Sequence, residues 1–296
     1  MTIVTRITLW SVALVVAALA IACSAGPQSV ERWSGFAVFG DMEPSPLPEF
    51  IGAQLATDAV AQVAALAVIA DVVVGVGDIA HRGADIQYAN VAPILQALPV
   101  PFLAIPGNEE AINFDRFLAE ARTWNEDPTT IANLHYVVPG ECFTLVFATA
   151  TVDGRELGDA DVNWILDRLD EVAVRRAILV THGALAHVFE VGGSKGIANP
   201  RFRDEVLTHP ALALVVSGDL HLDVVLYPGI AVTDGVVHLH APGLERTKHG
   251  DHVPRMRTVS TACDGTIEVR TYDLQLGAFL ADLSWTFRAG DPPELR

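Results

Sequence analysis

The sequence VVVGVGD occupies residues 72–78 and contains the unit from which the fold can be predicted. Four of its first five residues are valine, and a continuous apolar run of this kind is typical of a strand buried on both faces. The run ends in Gly77, which permits a sharp turn of the backbone, and in the carboxylate of Asp78. A buried strand that ends in a polar side chain is therefore the pattern to look for elsewhere in the chain.

Further apolar runs alternate with amphipathic stretches in the first two thirds of the sequence. The runs are predicted to be strands at 36–40, 102–105, 143–148, 177–180 and 212–217. Helical spacing of apolar residues predicts helices at 49–70, 86–98 and 159–171. This alternation of buried strands and helices is typical of the α/β class.

After about residue 220 the pattern changes to successive strands separated by turn signals such as Asp264-Gly265. The second half is therefore expected to add antiparallel β structure. The predicted strands are 223–226, 236–241, 256–261, 266–272 and 282–287.

Composition and charge exclude several classes of protein. The chain has 296 residues, of which 51% are hydrophobic and 19% are charged, so it is too apolar to be intrinsically disordered. A net charge of −17 argues against nucleic acid as a partner, because such binding depends on Lys and Arg that neutralise phosphates. No linker or repeat interrupts the pattern, and we expect one domain over residues 34–288.

The N-terminal segment predicts export from the cytoplasm. Arg6 is the only charged residue in 1–27, and it precedes an apolar run over residues 7–22 that ends in an A-x-A cleavage pattern. The sequence LAIAC at 19–23 resembles a bacterial lipobox, which predicts a lipoprotein-type signal peptide over residues 1–22. Lipidated Cys23 would tether the chain to a membrane. The alternatives are cleavage to a soluble periplasmic or extracellular form and retention as an uncleaved anchor.

Two further cysteines, Cys142 and Cys263, form an even pair in a compartment that would be oxidising. They are compatible with one disulfide and equally with two buried thiols.

Most of the predicted strands end in side chains that can bind a metal. In α/β sheets, ligands lie outside the carboxyl ends of the strands, so these ends are expected to surround one crevice. Carboxylate, amide and imidazole groups are ligands of divalent metals of intermediate hardness. The side chains concerned are Asp41, Glu43, Asp78, Asn108, Glu109, His182, Asp219 and His221.

The order of these strand ends resembles that of the calcineurin-like metallophosphoesterase family, whose pattern runs D-x-H, G-D, G-N-H-[DE], H and G-H-x-H. The corresponding blocks are DME at 41–43, GD at 77–78, GNEE at 107–110, His182, and GDLH at 218–221. The resemblance implies a four-layer α/β/β/α sandwich with two mixed β-sheets and a two-metal site at the carboxyl ends of the strands. It also implies hydrolysis of small phosphomonoesters or phosphodiesters by a water molecule that the metals activate.

The resemblance also assigns roles by position. Asn108 and Glu109 would be catalytic. One divalent metal ion would be held by Asp41, Glu43, Asp78 and His221, and the other by Asp78, Asn108, His182 and Asp219.

Three positions depart from the family pattern, because Glu43, Glu109 and Asp219 stand where the family has His. Oxygen-rich ligation favours Mn or Mg over Fe or Zn. The added negative charge would attract a phosphate less strongly, and neighbouring cations would hold Glu109 ionised, which suits a proton donor poorly. We therefore expect a hydrolase with weak activity, or alternatively a non-catalytic binding module of the same fold.

Three other motifs have competing interpretations. Residues 75–80 fit G-x-G-x-x-A, but the acidic residue that a dinucleotide site needs about 20 positions later is missing. Residues 192–196 fit the serine-hydrolase motif G-x-S-x-G, yet the sequence before them is a poor strand, and a loop near the crevice is preferred.

The third motif is the histidine run His238, His240, His249 and His252. It could form a second metal site or a polar strand face with a solvated loop. It could also supply an imidazole near Glu43 or Asp219.

Overall fold

The computed structural model describes residues 33–43, 62, 65, 69–244 and 253–295. The predicted signal peptide, nearly all of the predicted helix 49–70, His249 and His252 lie outside these residues. Within the described ranges, no helix has both the length and the apolar character needed to cross a bilayer.

Three α-helices and thirteen strands have bounds within the described ranges, and residues 62 and 65 are helical as well. The helices are α1 (Asp85–Gln96), α2 (Phe114–Ala121) and α3 (Asp159–Leu169). The strands of the first half are β1 (Gly35–Phe39), β2 (Val72–Val76), β3 (Phe102–Ile105), β4 (His135–Pro139), β5 (Thr144–Ala148), β6 (Ala177–Val180) and β7 (Leu212–Ser217). Those of the second half are β8 (Ile230–Thr233), β9 (Val236–His240), β10 (Arg255–Thr261), β11 (Thr266–Asp273), β12 (Ala278–Arg288) and β13 (Glu294–Leu295).

These strands form two mixed sheets. The first has seven strands in the order β13-β12-β11-β10-β1-β2-β3, and the second has six in the order β4-β5-β6-β7-β9-β8. In the first sheet β1, β2 and β3 are parallel, and β10 joins β1 in antiparallel register. In the second sheet β5, β6, β7 and β9 are parallel, and β4 and β8 are antiparallel edge strands.

Buried side chains fill three layers of core. Val74 of the first sheet and Phe147 of the second belong to one cluster between the sheets. On the outer face of the first sheet, Phe39 lies in one cluster with Tyr88 of α1 and neighbouring apolar residues. On the outer face of the second sheet, Ile165 of α3 packs in a third cluster. The predicted four-layer α/β/β/α sandwich is thus confirmed.

The structure corrects three details of the strand prediction. Residues 223–226 form a turn, in which the Asp223 carbonyl accepts hydrogen bonds from the N–H groups of Leu226 and Tyr227. Val225 and Leu226 point outward and are 50% and 59% exposed, whereas Val224 is buried in the core between the sheets, so this apolar segment is a turn with one buried side chain and not a strand. The edge strands β4 and β8 were not predicted, because half-exposed edge strands lack the continuous apolar run used to recognise the others.

A disulfide joins the two sheets. Cys142 precedes β5 and Cys263 follows β10, and the structure bonds them with their Cα atoms 5.0 Å apart. Of the two interpretations left open by the sequence, the disulfide is therefore the one observed.

We predict that this disulfide contributes to stability, because it closes a loop with a sequence separation of 121 residues in the unfolded chain. The double variant Cys142→Ser/Cys263→Ser should lose about 2–4 kcal/mol of unfolding free energy in denaturant titrations under non-reducing conditions. Reduced wild type serves as the control and should match the variant. Equal unfolding free energies for the variant and the oxidised wild type would contradict the prediction.

Candidate metal centre

The strand ends of both sheets meet at one edge, and all seven predicted metal-binding residues lie there. Six of the seven are buried, and Asn108 is half-buried. His221 Nε2 lies 3.1 Å from Asp41 Oδ1 and 3.6 Å from Glu43 Oε1. His182 Nε2 lies 3.4 Å from Asp78 Oδ1. Residues from β1, β2, β3, β6 and β7 are thereby brought within contact of one another.

The backbone at these strand ends adopts an uncommon conformation that turns the side chains into the crevice. Positive φ angles occur at Asp41 (49°), Asp78 (51°), Asp219 (69°) and His221 (49°). Such left-handed conformations are costly for residues other than glycine and often mark functional sites. Gly77, with φ of 90°, leaves no room for a side chain, because an added Cβ would collide with His182 Nδ1.

Glu110 holds two of these loops together from beneath. Its buried carboxylate accepts hydrogen bonds from the backbone N–H groups of Asp78 (3.1 Å), Ala80 (2.6 Å) and Gly107 (2.8 Å). Burial, followed by the charge of Asp78, raises the pKa of Glu110 to about 8. Glu110 is the last letter of the GNEE block, and its supporting position was not predicted from the sequence.

Two groups of donor atoms, which share Asp78, could each hold a cation. The ligand atoms of Asp41, Asp78 and His182 all lie within 4.8 Å of one another, and so do those of Glu43, Asp78 and His221. Together they suggest a binuclear metal site.

Asp41 supplies the observation that tests this fit. Both of its carboxylate oxygens are buried without a well-formed hydrogen bond. Burial opposes ionisation, but the charge of His221 and of His182 holds the pKa of Asp41 below its usual value. Buried anionic oxygens without well-formed hydrogen bonds are costly unless a cation compensates them. The residues present therefore fit divalent metal ions.

His182 is oriented for metal binding by its other ring nitrogen. Nδ1 lies 2.6 Å from the Val76 carbonyl oxygen, which assigns the proton to Nδ1 and leaves Nε2 facing the crevice. Nε2 faces three oxygens, Asn108 Oδ1 at 3.2 Å, Asp78 Oδ1 at 3.4 Å and Asp219 Oδ1 at 3.6 Å. Burial opposes the charged form, but Asp78 and Asp219 raise the pKa of His182 well above its usual value. His182 Nε2 therefore either carries a proton or binds a metal cation.

Asp219 differs from the other predicted ligands, because two cationic side chains contact it. Arg155 Nε lies 3.0 Å from both carboxylate oxygens, and Lys195 Nζ donates to Oδ1 at 2.6 Å and to the backbone oxygen at 3.0 Å. Burial opposes ionisation, but His182, Lys195 and Arg155 hold the pKa of Asp219 well below its usual value. The expectation that the acidic replacements make the crevice more negative omitted these two cations.

Lys195 belongs to the G-x-S-x-G segment at 192–196, so the predicted loop near the crevice is observed. A short 3₁₀ turn, Glu190–Gly192, precedes the serine in place of a strand. The structural context of a serine-hydrolase elbow is thus missing from this segment. The glycine-rich motif could have directed attention to Lys195, whereas no sequence signal identified Arg155.

His81 is a further site residue that the sequence reasoning missed. Its Nδ1 lies 2.8 Å from Glu43 Oε2 and 3.1 Å from Glu109 Oε2. Glu109 also accepts a hydrogen bond from the Arg82 N–H at 2.9 Å. An imidazole is thereby placed beside two of the acids that stand at the family's His positions. Its nearness to Asp78 in the sequence was the available signal.

His238 and His240 are both buried on β9, so the interpretation as a polar strand face is wrong. Burial lowers the pKa of His238 to about 4 and that of His240 to about 3. His240 Nε2 accepts a hydrogen bond from the Leu220 N–H at 3.3 Å, between Asp219 and His221. Neither histidine belongs to a metal-donor group formed by the described residues.

Comparison with solved structures confirms the fold. A dimetal phosphatase from Danio rerio superposes with a TM-score of 0.64 at 13% identity, over 86% of this chain and 98% of that one. A purple acid phosphatase from yellow lupin (Lupinus luteus) seeds gives a TM-score of 0.59 at 13% identity, over 89% of this chain and 55% of that one. The structure of PhoD gives a TM-score of 0.54 at 11% identity, over 89% of this chain and 71% of that one.

No curated protein sequence matches the chain. The family model for calcineurin-like phosphoesterases, in contrast, matches residues 36–223, which contain every residue of the candidate site. The chain therefore belongs to the calcineurin-like phosphoesterase family.

Proposed function

We propose that this protein is a metal-dependent phosphoesterase that hydrolyses small phosphomonoesters or phosphodiesters. The observation that carries the proposal is the buried carboxylate of Asp41, whose oxygens make no well-formed hydrogen bond although His221 Nε2 lies 3.1 Å from Oδ1, and which belongs to one of two metal-donor groups that share Asp78. Membership of the family and the arrangement of this crevice support the same chemistry.

The proposed ligands divide between two divalent cations around the shared carboxylate of Asp78. Bound there, the cations supply polarisation of a phosphoryl oxygen and activation of a water nucleophile. The carboxylates of Asp41, Glu43 and Asp78 and the amide oxygen of Asn108 favour Mn or Mg over softer ions. We assign Asp78, Asn108 and His182 to the second cation, and Asp41, Glu43, Asp78 and His221 to the first. Asp41 joins the first set because its Oδ1 lies 3.1 Å from His221 Nε2, although a ligand atom of Asp41 also lies within 4.8 Å of His182.

Asn108 and Glu109 are proposed to act directly on the substrate at the mouth of the crevice. Asn108 Nδ2 donates to Glu109 Oε1 at 3.3 Å, and the Glu109 N–H donates to Asp78 Oδ1 at 2.9 Å. Glu109 is 21% exposed, so its carboxyl can meet a leaving group that the buried ligands cannot reach. A carboxylate is a poor proton donor beside cations, and we expect slow turnover.

The other sequence predictions remain proposals. Export and lipid attachment at Cys23 concern residues outside the described ranges, and they would place a small phosphorylated substrate outside the cytoplasm. Nucleic acid is not an expected partner of so acidic a chain. Neither the family match nor the converging donor atoms favour the non-catalytic binding module.

Asp78→Asn should abolish hydrolysis of 4-nitrophenyl phosphate by the manganese-loaded protein, lowering the rate by roughly 100-fold or more, because both cations lose a shared anionic ligand. The release of 4-nitrophenol measures the rate. Asp170→Asn, which changes an exposed carboxylate paired with His209, is the matched control and should retain the wild-type rate. Equal rates for wild type and Asp78→Asn would refute the proposed function.

Metal binding should release a proton from His182. Its raised pKa keeps the free protein's imidazole protonated at neutral pH, whereas a metal needs the neutral ring, so affinity should rise with pH until that pKa is passed. Calorimetry with Mn²⁺ at pH 7 in buffers of different ionisation enthalpy measures the protons released on metal binding. His182→Asn should release about one proton fewer than wild type. His209→Asn is the control, and equal proton release in wild type and His182→Asn would contradict the assignment.

A further inference from the structure

Arg155 and Lys195 converge on Asp219 from different loops. Arg155 lies between β5 and α3, and Lys195 lies between β6 and β7. Asp219 is 1% exposed, whereas Arg155 is 32% and Lys195 is 34% exposed. The carboxylate is thus enclosed, and the two cations that contact it are partly exposed to solvent.

Backbone packing holds both loops against the candidate metal site. Gly154, with φ of 84°, lies so close to Asn108 that an added Cβ would collide with its backbone. An added Cβ at Gly192 would come within 2.8 Å of the Leu220 side chain, next to Asp219. The Arg155 N–H is also fixed by the Asp153 carboxylate at 2.8 Å. The positions of the cations are therefore determined by the same packing that builds the site.

The pair carries more positive charge and more donors than Asp219 uses. One carboxylate balances one of two cations, so the cluster of three side chains has a net charge of about +1 at neutral pH. Arg155 contacts Asp219 through Nε, and its terminal nitrogens have no acceptor among the described residues. A guanidinium offers five N–H donors, and its fork matches phosphate oxygens.

Two side chains, Asp219 and His182, separate the spare donors from the shared metal ligand Asp78. Asp219 Oδ1 is 3.6 Å from His182 Nε2, which is 3.4 Å from Asp78 Oδ1. An anion that enters the crevice beside Asp78 therefore lies within the field of both cations, where partial burial limits screening by solvent.

We propose that Arg155 and Lys195 form an anion subsite for the dianionic phosphoryl group of a phosphomonoester, and that Asp219 anchors these cations and does not ligate a metal. The proposal rests on the proposed function and narrows its substrate class. A monoester presents two negative charges and three non-bridging oxygens, whereas a diester presents one charge and two such oxygens. A fixed cation pair beside the metal ligands favours the monoester.

The test compares kcat/KM for 4-nitrophenyl phosphate and bis(4-nitrophenyl) phosphate in the manganese-loaded full chain. Arg155→Gln and Lys195→Gln should each lower the monoester-to-diester ratio about tenfold and raise the inhibition constant of inorganic phosphate similarly, because each removes a charge-assisted contact. Metal content by mass spectrometry should stay at the wild-type value. Arg203→Gln, which removes an exposed arginine paired with Asp234, is the matched control and should change none of these values.

Asp219→Asn separates anchoring from metal ligation. It should keep the wild-type metal content while lowering the monoester-to-diester ratio, and loss of one metal equivalent would overturn the proposal. Removing Arg155 leaves the buried charge of Asp219 with one cation fewer, which destabilises the fold. If Arg155→Gln does not fold, the paired variant Arg155→Gln/Asp219→Asn removes both charges and replaces it in the comparison of kcat/KM ratios.

Two outcomes distinguish this proposal from the proposed function. An active wild type whose ratio is unchanged in both cation variants would refute the subsite and leave the phosphoesterase assignment intact. A metal-loaded wild type without activity on either ester would refute the proposed function. In that case calorimetric binding of inorganic phosphate tests the subsite, and equal affinity in wild type and both cation variants would overturn it.

Discussion

Four carboxylates buried at one edge of two packed sheets are the constraint on which this site depends. Asp41, Glu43, Asp78 and Asp219 are each no more than 2% exposed. Like charges that are withdrawn from water repel one another and lose hydration, so they require cations close by. The strained backbone at the strand ends and the hydrogen bonds that Glu110 accepts from the backbone N–H groups of Asp78 and Gly107 hold these groups together against that repulsion.

The compensation takes two forms. Each acid at a family His position meets a basic side chain, since His81 contacts Glu43 and Glu109, while Arg155 and Lys195 contact Asp219. Asp41 has His221 beside it but no well-formed hydrogen bond to its oxygens. The deep part of the crevice is therefore suited to divalent metal ions, and its rim carries fixed organic cations. The motif alone predicts a more negative crevice, but in the structure basic side chains contact each of the three acids that replace a histidine.

The fold could be predicted, and so could the meeting of the seven candidate side chains at one sheet edge, because both depend on local sequence. Within the seven residues 72–78, the valines predict a buried strand, and Gly77-Asp78 marks the strand end that carries a metal-binding side chain. The edge strand β4 and the turn at 223–226 were missed, because exposure at the sheet edge is decided by packing. Arg155 was missed for a similar reason, since it meets Asp219 across 64 positions of sequence.

The most direct test of a cation-filled carboxylate crevice is anomalous diffraction from a manganese-soaked crystal, measured on both sides of the manganese absorption edge. We predict two anomalous peaks that share contact with Asp78, one next to His182 and the other next to Glu43 and His221. A well-ordered crystal at saturating Mn²⁺ with no anomalous peak in contact with Asp78 would contradict the account.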